Sequence, residues 1–266
     1  MTHGLVWKVS LSSPTDKVPL LGTAVNCLGL EESLQYLDCE FLTAEGRKAY
    51  IRTVGLRQAA DPHGGSELGG HSAGGAIVLA STRPFIWAAS LLGRPLPDRV
   101  TGLDLLLALC DLAQRKGYSC YFLGEKWYVV QPSVAVLTRL FPGMRLAGFS
   151  YLDENPRDVV ALINDAHPGI VFISSEHRKQ EAWASAHLEG LSCSILAAVG
   201  DAFDVLAARN LGVSGWQTWT MSAVDCLWCL LSEPRRLLMG PLTASQRLLV
   251  LLFREFWSLR RRPHLS

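Results

Sequence analysis

Between residues 170 and 209, short apolar runs rich in β-branched residues alternate with segments of helical period, and this alternation limits the fold most. Ile170–Ile173 has the character of a buried strand. A polar loop follows, then a segment with helical spacing through Ala182, Trp183 and Ala186. Ser194–Val199 is a second apolar run, broken at Gly200 and followed by Asp201-Ala202-Phe203-Asp204 at the head of another helix. Strand, helix, strand, helix in 40 residues predicts a βαβ unit of a parallel sheet. Polar residues come just after both strands, at the carboxyl edge where open α/β sheets bind ligands.

The same alternation extends back to residue 18. Val18–Val25 is read as a strand and Leu28–Leu37 as a helix, with Glu31 and Glu32 in its first turn. Cys39–Thr43 is read as a strand whose terminal hydroxyl, Thr43, faces the ligand edge. The segment 47–58 is read as helical. Ala76–Ala80, Tyr118–Leu123 and Met144–Phe149 are read as strands, and Phe85–Leu92, Ser133–Leu140 and Asn155–Asp165 as helices. Thr101 and Asp104 fit a capping box at the start of an apolar helix reaching Lys116, and the same two residues fit a ligand site. The expected fold is α/β and Rossmann-like, a mainly parallel sheet with helices on both faces, over residues 1–209.

After Arg209 the pattern changes. Residues 214–232 are helical in period and carry Trp216, Trp219 and Trp228. Ser245–Arg262 can form an amphipathic helix with a narrow polar stripe through Arg247, Arg254, Ser258 and Arg261. The 34 residues from Glu233 hold seven Arg and two Glu, so they carry +5 in a chain whose net charge is +1. Residues 210–266 are therefore expected to form a helical, basic appendage that meets an anionic membrane surface.

Composition excludes several classes. The chain is 49% apolar and 18% charged, which suits a packed core and argues against disorder. Eight Trp and the low charge leave apolar surface for a membrane or a partner, a second copy included, and nucleic acid is not an expected partner. No apolar run reaches the roughly 18 residues of a membrane span, and the first residues lack the pattern of a signal peptide. The seven Cys are read as reduced thiols of a cytoplasmic protein. Cys226 and Cys229 form a CxxC without a second pair, which favours core thiols over a metal site. The stretch Asp61–Gly75 has six Gly in three pairs but no GK[ST], so it reads as a surface loop rather than a phosphate cradle. No GxGxxG follows an N-terminal strand, which argues against a dinucleotide-dependent dehydrogenase.

Five collinear segments then carry a resemblance: RVTGLDLL (99–106), GYSCYFLG (117–124), Lys179-Gln180-Glu181 with Trp183, VGDAFDVLA (199–207) and LLSEPRRL (230–237). Together they resemble the WecG/TagA/CpsF family of bacterial glycosyltransferases over about residues 18–240. The resemblance implies an inverting hexosyltransferase that needs neither metal nor cofactor. Such enzymes move an N-acetylmannosamine-type sugar from a UDP-sugar to a polyprenyl-diphosphate-linked acceptor. They work at the inner face of the cytoplasmic membrane, in cell-wall or extracellular polysaccharide biosynthesis. Arg99, Thr101, Gly102, Gln180, Glu181, Gly200, Phe203, Asp204, Arg235 and Arg236 match substrate-binding positions, and Thr43, Ser81 and Asp104 match catalytic ones. The family's general base is an Asp followed by Gly, and here Ser81-Thr82 stands in that place. A serine is no general base near neutral pH without activation, so Glu45, Asp104 and His177 are the substitutes to consider. The alternative expectation is a catalytically degenerate relative that binds UDP-sugar or scaffolds an assembly complex.

Overall fold

The structure is a computed structural model that describes residues 17–20, 23–43, 47–55, 76–91, 93, 95–152 and 155–210. In chain order, β1 (Lys17–Leu20) and β2 (Thr23–Asn26) are followed by α1 (Leu30–Leu37), which runs into a π-helical turn (Asp38–Leu42). Then come β3 (Ala49–Val54), β4 (Ala76–Ala80), α2 (Arg83–Leu91), α3 (Gly102–Lys116), β5 (Ser119–Gly124) and α4 (Trp127–Leu140). The described part ends with β6 (Arg145–Tyr151), α5 (Pro156–Ala166), β7 (Ile170–Ser174), α6 (His177–His187), a 3-10 turn (Leu188–Gly190), β8 (Ile195–Ala198) and α7 (Ala202–Asn210).

Six of these strands form one sheet in the order β4-β3-β8-β7-β5-β6, and every neighbouring pair is parallel. Side-chain alternation splits the core into two layers. On one face Ile51, Leu79, Phe122 and Phe172 pack with Leu105 and Leu109 of α3, Val134 of α4 and Leu206 of α7. On the other, Tyr50, Val78, Leu123 and Val171 pack with Phe85 of α2, Ile163 of α5 and Trp183 of α6. Both faces are covered by helices, as a fully parallel sheet requires. The fold is the Rossmann-like α/β class that the alternation predicts.

Three local expectations are corrected. The apolar stretch 18–25 is an antiparallel pair, β1 with β2, and Gly22 between them is the turn signal that the reading as one strand passed over. The run 39–43 is helical. Its Thr43 hydroxyl donates to the carbonyls of Asp38 and Cys39, at 3.1 and 2.8 Å. This turn is tied to the amino edge of the sheet, since Asp38 accepts from the Tyr118 hydroxyl at 2.7 Å and pairs with Lys116 at 3.0 Å. Burial pushes the Asp38 carboxyl up, but Tyr118 and Lys116 together hold it below its ordinary range. The third correction is the segment 47–58, whose described part contains β3, an inner strand. Arg52, the charged residue within this strand, is buried and paired with Glu181.

Other segments match their readings with small shifts of boundary. Helix α4 begins six residues before the predicted Ser133 and carries Pro132 inside it. The missing proline N–H removes one helical hydrogen bond, to the Tyr128 carbonyl, and explains why the sequence suggested a later start. Asn155 caps α5, its side chain accepting from the Arg157 amide, with Pro156 at the first helical position. Cys120 and Cys193 are buried, and burial pushes both thiols up to about 12, so neither is a reactive thiolate. No helix among the described residues is long and apolar enough to cross a membrane. The appendage expected over 210–266 lies, apart from Asn210, outside the described residues, as do Arg235, Arg236, Cys226, Cys229 and Glu45.

Candidate functional site

The strand order decides where a ligand can enter. From β5 the chain moves outward to β6, while from β7 it moves the opposite way to β8. The helices that follow, α4 and α6, therefore lie on opposite faces. Between the carboxyl ends of β5 and β7 the connections part, which opens the crevice where doubly wound sheets bind ligands. One wall is Gly124-Glu125-Lys126 and the other Ser174-Ser175-Glu176. Lys179 of α6 reaches across and pairs with Glu125, which it holds below the usual carboxylate range.

Beside this crevice the end of β8 makes the next part of the floor. Gly200 has φ +59°, a left-handed conformation that glycine adopts at no steric cost. It turns the chain from Val199 into α7. The Ser174 hydroxyl, at the end of β7, donates to the Gly200 carbonyl at 2.6 Å and lies 3.4 Å from the Phe203 amide. Phe203 itself is fully buried, with its ring 6.0 Å from Phe122, so it supports the site from beneath and does not face a ligand. Its carbonyl accepts from the Ser133 hydroxyl at 2.7 Å, which fixes α4 against α7.

Asp204 stands in the first turn of α7, and its carboxyl is held above the ordinary range. Partial desolvation is the largest cause and the neighbouring Asp201 the second, while Lys126 pulls the other way. Such a group is charged at a cost to the fold, a pattern of sites arranged for a ligand. Asp204→Asn is therefore expected to raise the melting temperature at pH 7. A raised folded-state pKa disfavours the ionised form, so the advantage should vanish below about pH 4, where the carboxyl is protonated folded or unfolded. Thermal melts of both proteins at pH 7 and pH 3.5 check this; a variant that melts lower at pH 7 would contradict it.

Farther along the same edge, Ser81 and Thr82 follow β4. The Ser81 amide donates to the Val54 carbonyl at 2.8 Å, so β3 and β4 end level. The Thr82 hydroxyl is buried and has no hydrogen-bond partner among the described residues. The loop carrying Arg99 and Thr101 is held here by Val100, whose amide donates to the Ala80 carbonyl at 2.7 Å. Thr101 and Asp104 form the capping box of α3. The Asp104 amide donates to the Thr101 hydroxyl at 3.1 Å, and the Thr101 amide to the Asp104 carboxylate at 3.0 Å. The Thr101 hydroxyl adds a donation to the same carboxylate oxygen at 2.6 Å. Of the two readings of this pair, the capping one is what the geometry displays. Gly102 lies so close to β8 that a Cβ there would stand 2.0 Å from the Val199 carbonyl oxygen.

The Lys179-Gln180-Glu181 element divides by role. The Glu181 side chain turns into the core, where its Oε1 accepts from Arg52 at 2.8 Å and from the Tyr50 hydroxyl at 3.0 Å. It is thus a clamp between α6 and β3. Gln180 is 2% exposed, and its Oε1 finds no hydrogen-bond partner among the described residues. A buried amide oxygen without a donor is uncommon in native interiors and fits a group held open for a ligand. His177 is the first residue of α6, at the same edge.

Thr43 is on the opposite side of the sheet from all of these, at the amino edge. The strand-end threonine at the carboxyl edge is Thr53, which the reading of 47–58 as helical concealed. Glu125 and Lys126 were also missed, although their place directly after the strand 118–123 marked them as edge residues. A groove of about 680 Å³ runs outward from Arg99 between α1 and α3. Its rim holds Glu31, Glu32, Asp98, Asp104 and Asp111 against Arg99, so only the Arg99 end suits an anion.

This geometry agrees with comparisons to known proteins. The sequence profile described as "Glycosyl transferase WecG/TagA/CpsF family" matches residues 18–262. An N-acetylglucosaminyldiphosphoundecaprenol N-acetyl-beta-D-mannosaminyltransferase of Bacillus spizizenii is 28% identical over 135 residues, 50% of this chain and 52% of that protein. The Staphylococcus aureus protein of the same name is 24% identical over 134 residues, 50% of this chain and 53% of that protein. The chain spans about half the length of the curated relatives it matches. With the profile covering most of its length and the sheet edge built as described, the chain belongs to the WecG/TagA/CpsF family of glycosyl transferases.

Proposed function

We propose that this chain transfers an N-acetylhexosamine-type, N-acetylmannosamine-like sugar from a UDP-sugar to a polyprenyl-diphosphate-linked acceptor. The pathway is cell-wall or extracellular polysaccharide synthesis, at the inner face of the cytoplasmic membrane. The observation that carries the reading is the assembly, on one sheet edge, of the switch point in strand order, a Gln180 oxygen without a hydrogen-bond partner among the described residues and a carboxyl at Asp204 with a raised pKa. The names of the relatives supply the chemical class.

In this reading the acceptor hydroxyl oxygen bonds to the anomeric carbon of the donor, and the bond from that carbon to the diphosphate oxygen breaks. UDP leaves with the electron pair, and the hydroxyl proton passes to a base. The amino ends of α4, α6 and α7 converge on the crevice and supply amide donors for the diphosphate. Lys126 adds positive charge there, and Arg99 adds a planar donor set at the β4 end. Parallel strands stand about 4.8 Å apart, so the β4 and β5 ends are separated by about 19 Å. An extended nucleotide-sugar can bridge such a span, with nucleotide near Asp204 and sugar near Ser81. Arg235 and Arg236 of the appendage, and its contact with an anionic membrane, belong to the same proposal.

Ser81 and the capped Asp104 favour a second reading, a degenerate relative that binds donor without turning it over. Purified protein with labelled UDP-N-acetylmannosamine and a lipid-diphosphate acceptor separates the two. Label transfer, with inversion at the anomeric carbon, is the expected result. UDP binding without transfer from any UDP-sugar would favour the second reading.

A further inference from the structure

The exposed Trp and Tyr side chains are not scattered, while the less exposed Phe149 lies within β6. Among the described residues, the large exposed Trp and Tyr side chains are Trp87, Trp127 and Tyr128, at 65, 63 and 51% exposure. Trp127 and Tyr128 are the first two residues of α4, directly after the crevice wall at Glu125-Lys126. Trp87 is the fifth residue of α2, which follows β4. At a rise of about 1.5 Å per residue, Trp87 lies about 6 Å from the start of its helix. Trp127 and Tyr128 therefore stand at the carboxyl edge, and Trp87 just over one helical turn from it. The exposed leucines are placed differently, with Leu140 at the far end of α4 and Leu146 at the start of β6, both toward the amino edge, and Leu162 midway along α5.

The aromatic group also straddles the sheet. Helix α4 packs on one face through Val130 and Val134, and α2 packs on the other through Phe85 and Ala89. A plane laid across the carboxyl edge thus meets aromatic rings on both sides of the crevice. Trp127 and Tyr128 hold each other edge to face, with centroids 5.8 Å apart, and Lys126 places its ammonium 5.7 Å from the Tyr128 ring. Large amphipathic rings beside an exposed lysine are the composition of a membrane–water interface, where Trp and Tyr sit at headgroup level.

We infer that the carboxyl edge is a lipid-contacting face. Trp127, Tyr128 and Trp87 enter the bilayer interface, and Lys126 meets anionic headgroups. The inference rests on the transferase reading in one respect, that the acceptor entering the crevice is anchored in that bilayer. A face that lies on the membrane brings such an acceptor to the site without lifting its lipid chain into water. It differs in place from the contact expected of residues 233–266; salt removes the part of that contact carried by exposed charge, and the ring substitutions separate the rest.

The test uses the full chain and vesicles of phosphatidylcholine with a quarter phosphatidylglycerol, without donor or acceptor. In 0.5 M salt the wild type is expected to sediment with the vesicles. The triple variant Trp127→Ser, Tyr128→Ser, Trp87→Ser is expected to partition about tenfold less or weaker, since the apolar area of the rings is what the interface takes up. A paired variant, Leu140→Ser with Leu162→Ser, removes exposed apolar area elsewhere and should partition like the wild type. Melting temperature and UDP affinity of the triple variant check that fold and site are intact. The inference is overturned if the triple variant partitions like the wild type, or if the wild type does not bind vesicles in 0.5 M salt. It is also overturned if the triple substitution changes the oligomeric state instead, which would make this edge a protein interface. Failure of the transferase reading looks different, as absent sugar transfer to a water-soluble, short-chain acceptor with vesicle binding unchanged.

Discussion

Glu181→Ala is expected to cost about 3–5 kcal/mol of stability, because it leaves a buried charge without its partner. The Arg52 side chain is 6% exposed and that of Glu181 16%, and their closest approach is 2.8 Å. Tyr50, fully buried, donates to the same carboxylate oxygen, and burial with the Glu181 charge keeps the phenol protonated far above its ordinary pKa. Removing Glu181 strands both the guanidinium and the hydroxyl in a layer that water does not reach. Arg52 Nε already lacks a hydrogen-bond partner among the described residues, so this site has little to offset the loss. Since domains of this kind are stable by about 5–15 kcal/mol, the variant should lose a large share of its urea midpoint. The triple variant Tyr50→Phe, Arg52→Met, Glu181→Leu should recover most of it, because it removes the stranded hydroxyl and replaces the buried pair with apolar residues of similar volume at little cost. A single variant with an unchanged midpoint would show that the pair is solvated. Were Glu181 a substrate ligand alone, its loss would change donor affinity and leave the midpoint in place.

Gly102→Ala is expected to combine a stability loss of about 1–3 kcal/mol with a larger loss of function. The added Cβ would stand 2.0 Å from the Val199 carbonyl oxygen and 2.7 Å from its carbonyl carbon, atoms of the backbone that no rotamer change can move aside. The amino end of α3 must shift away from β8, carrying Arg99 and Thr101 with it. A displacement near 1 Å at a positioning element can cost about a hundredfold in rate, and that is the expected fall in sugar transfer. Gly190→Ala is the control, since nothing lies within 4 Å of a Cβ there, and it should behave as wild type. Equal activity of the two variants would mean that α3 tolerates the shift, and that the Arg99 loop does not position substrate.

Much of the architecture was legible because its signals are local. Apolar runs such as Ile170–Ile173 and Tyr118–Leu123 lie between turn residues, and each coincides with a strand to within about one residue, the usual spread of boundaries. The Thr101–Asp104 capping box and the Asn155-Pro156 start of α5 depend on residues within one turn of each other. Failures came where the deciding partner is far away in sequence. Arg52 and Glu181 are 129 residues apart, and without the second the first looks like a surface charge on a helix. The π-helical turn at 38–42 is tied down by Tyr118, 80 residues on. A five-residue segment whose apolar residues are Cys39, Phe41 and Leu42 does not distinguish a strand from a helical turn without that anchor.

The candidate site was legible in part. Ser81, Gly200 and Asp204 were named from the family resemblance, and the structure places each just after a strand at the carboxyl edge; Arg99 and Gln180, named the same way, stand on the loop before α3 and in the first turn of α6. Thr53 was missed with its strand, and Thr43 was chosen in its place. By itself the sequence determined the βα alternation, the capped helix starts and the family motifs, since these are written in neighbouring residues. Only the tertiary structure decided the strand order, and with it which loops share the crevice. It also decided that Phe203, Glu181 and Gln180 face inward, and that the Gln180 oxygen has no hydrogen-bond partner among the described residues. Which way a side chain turns depends on what packs against it, and here the packing partners come from β3, α4 and β5, all distant in the chain.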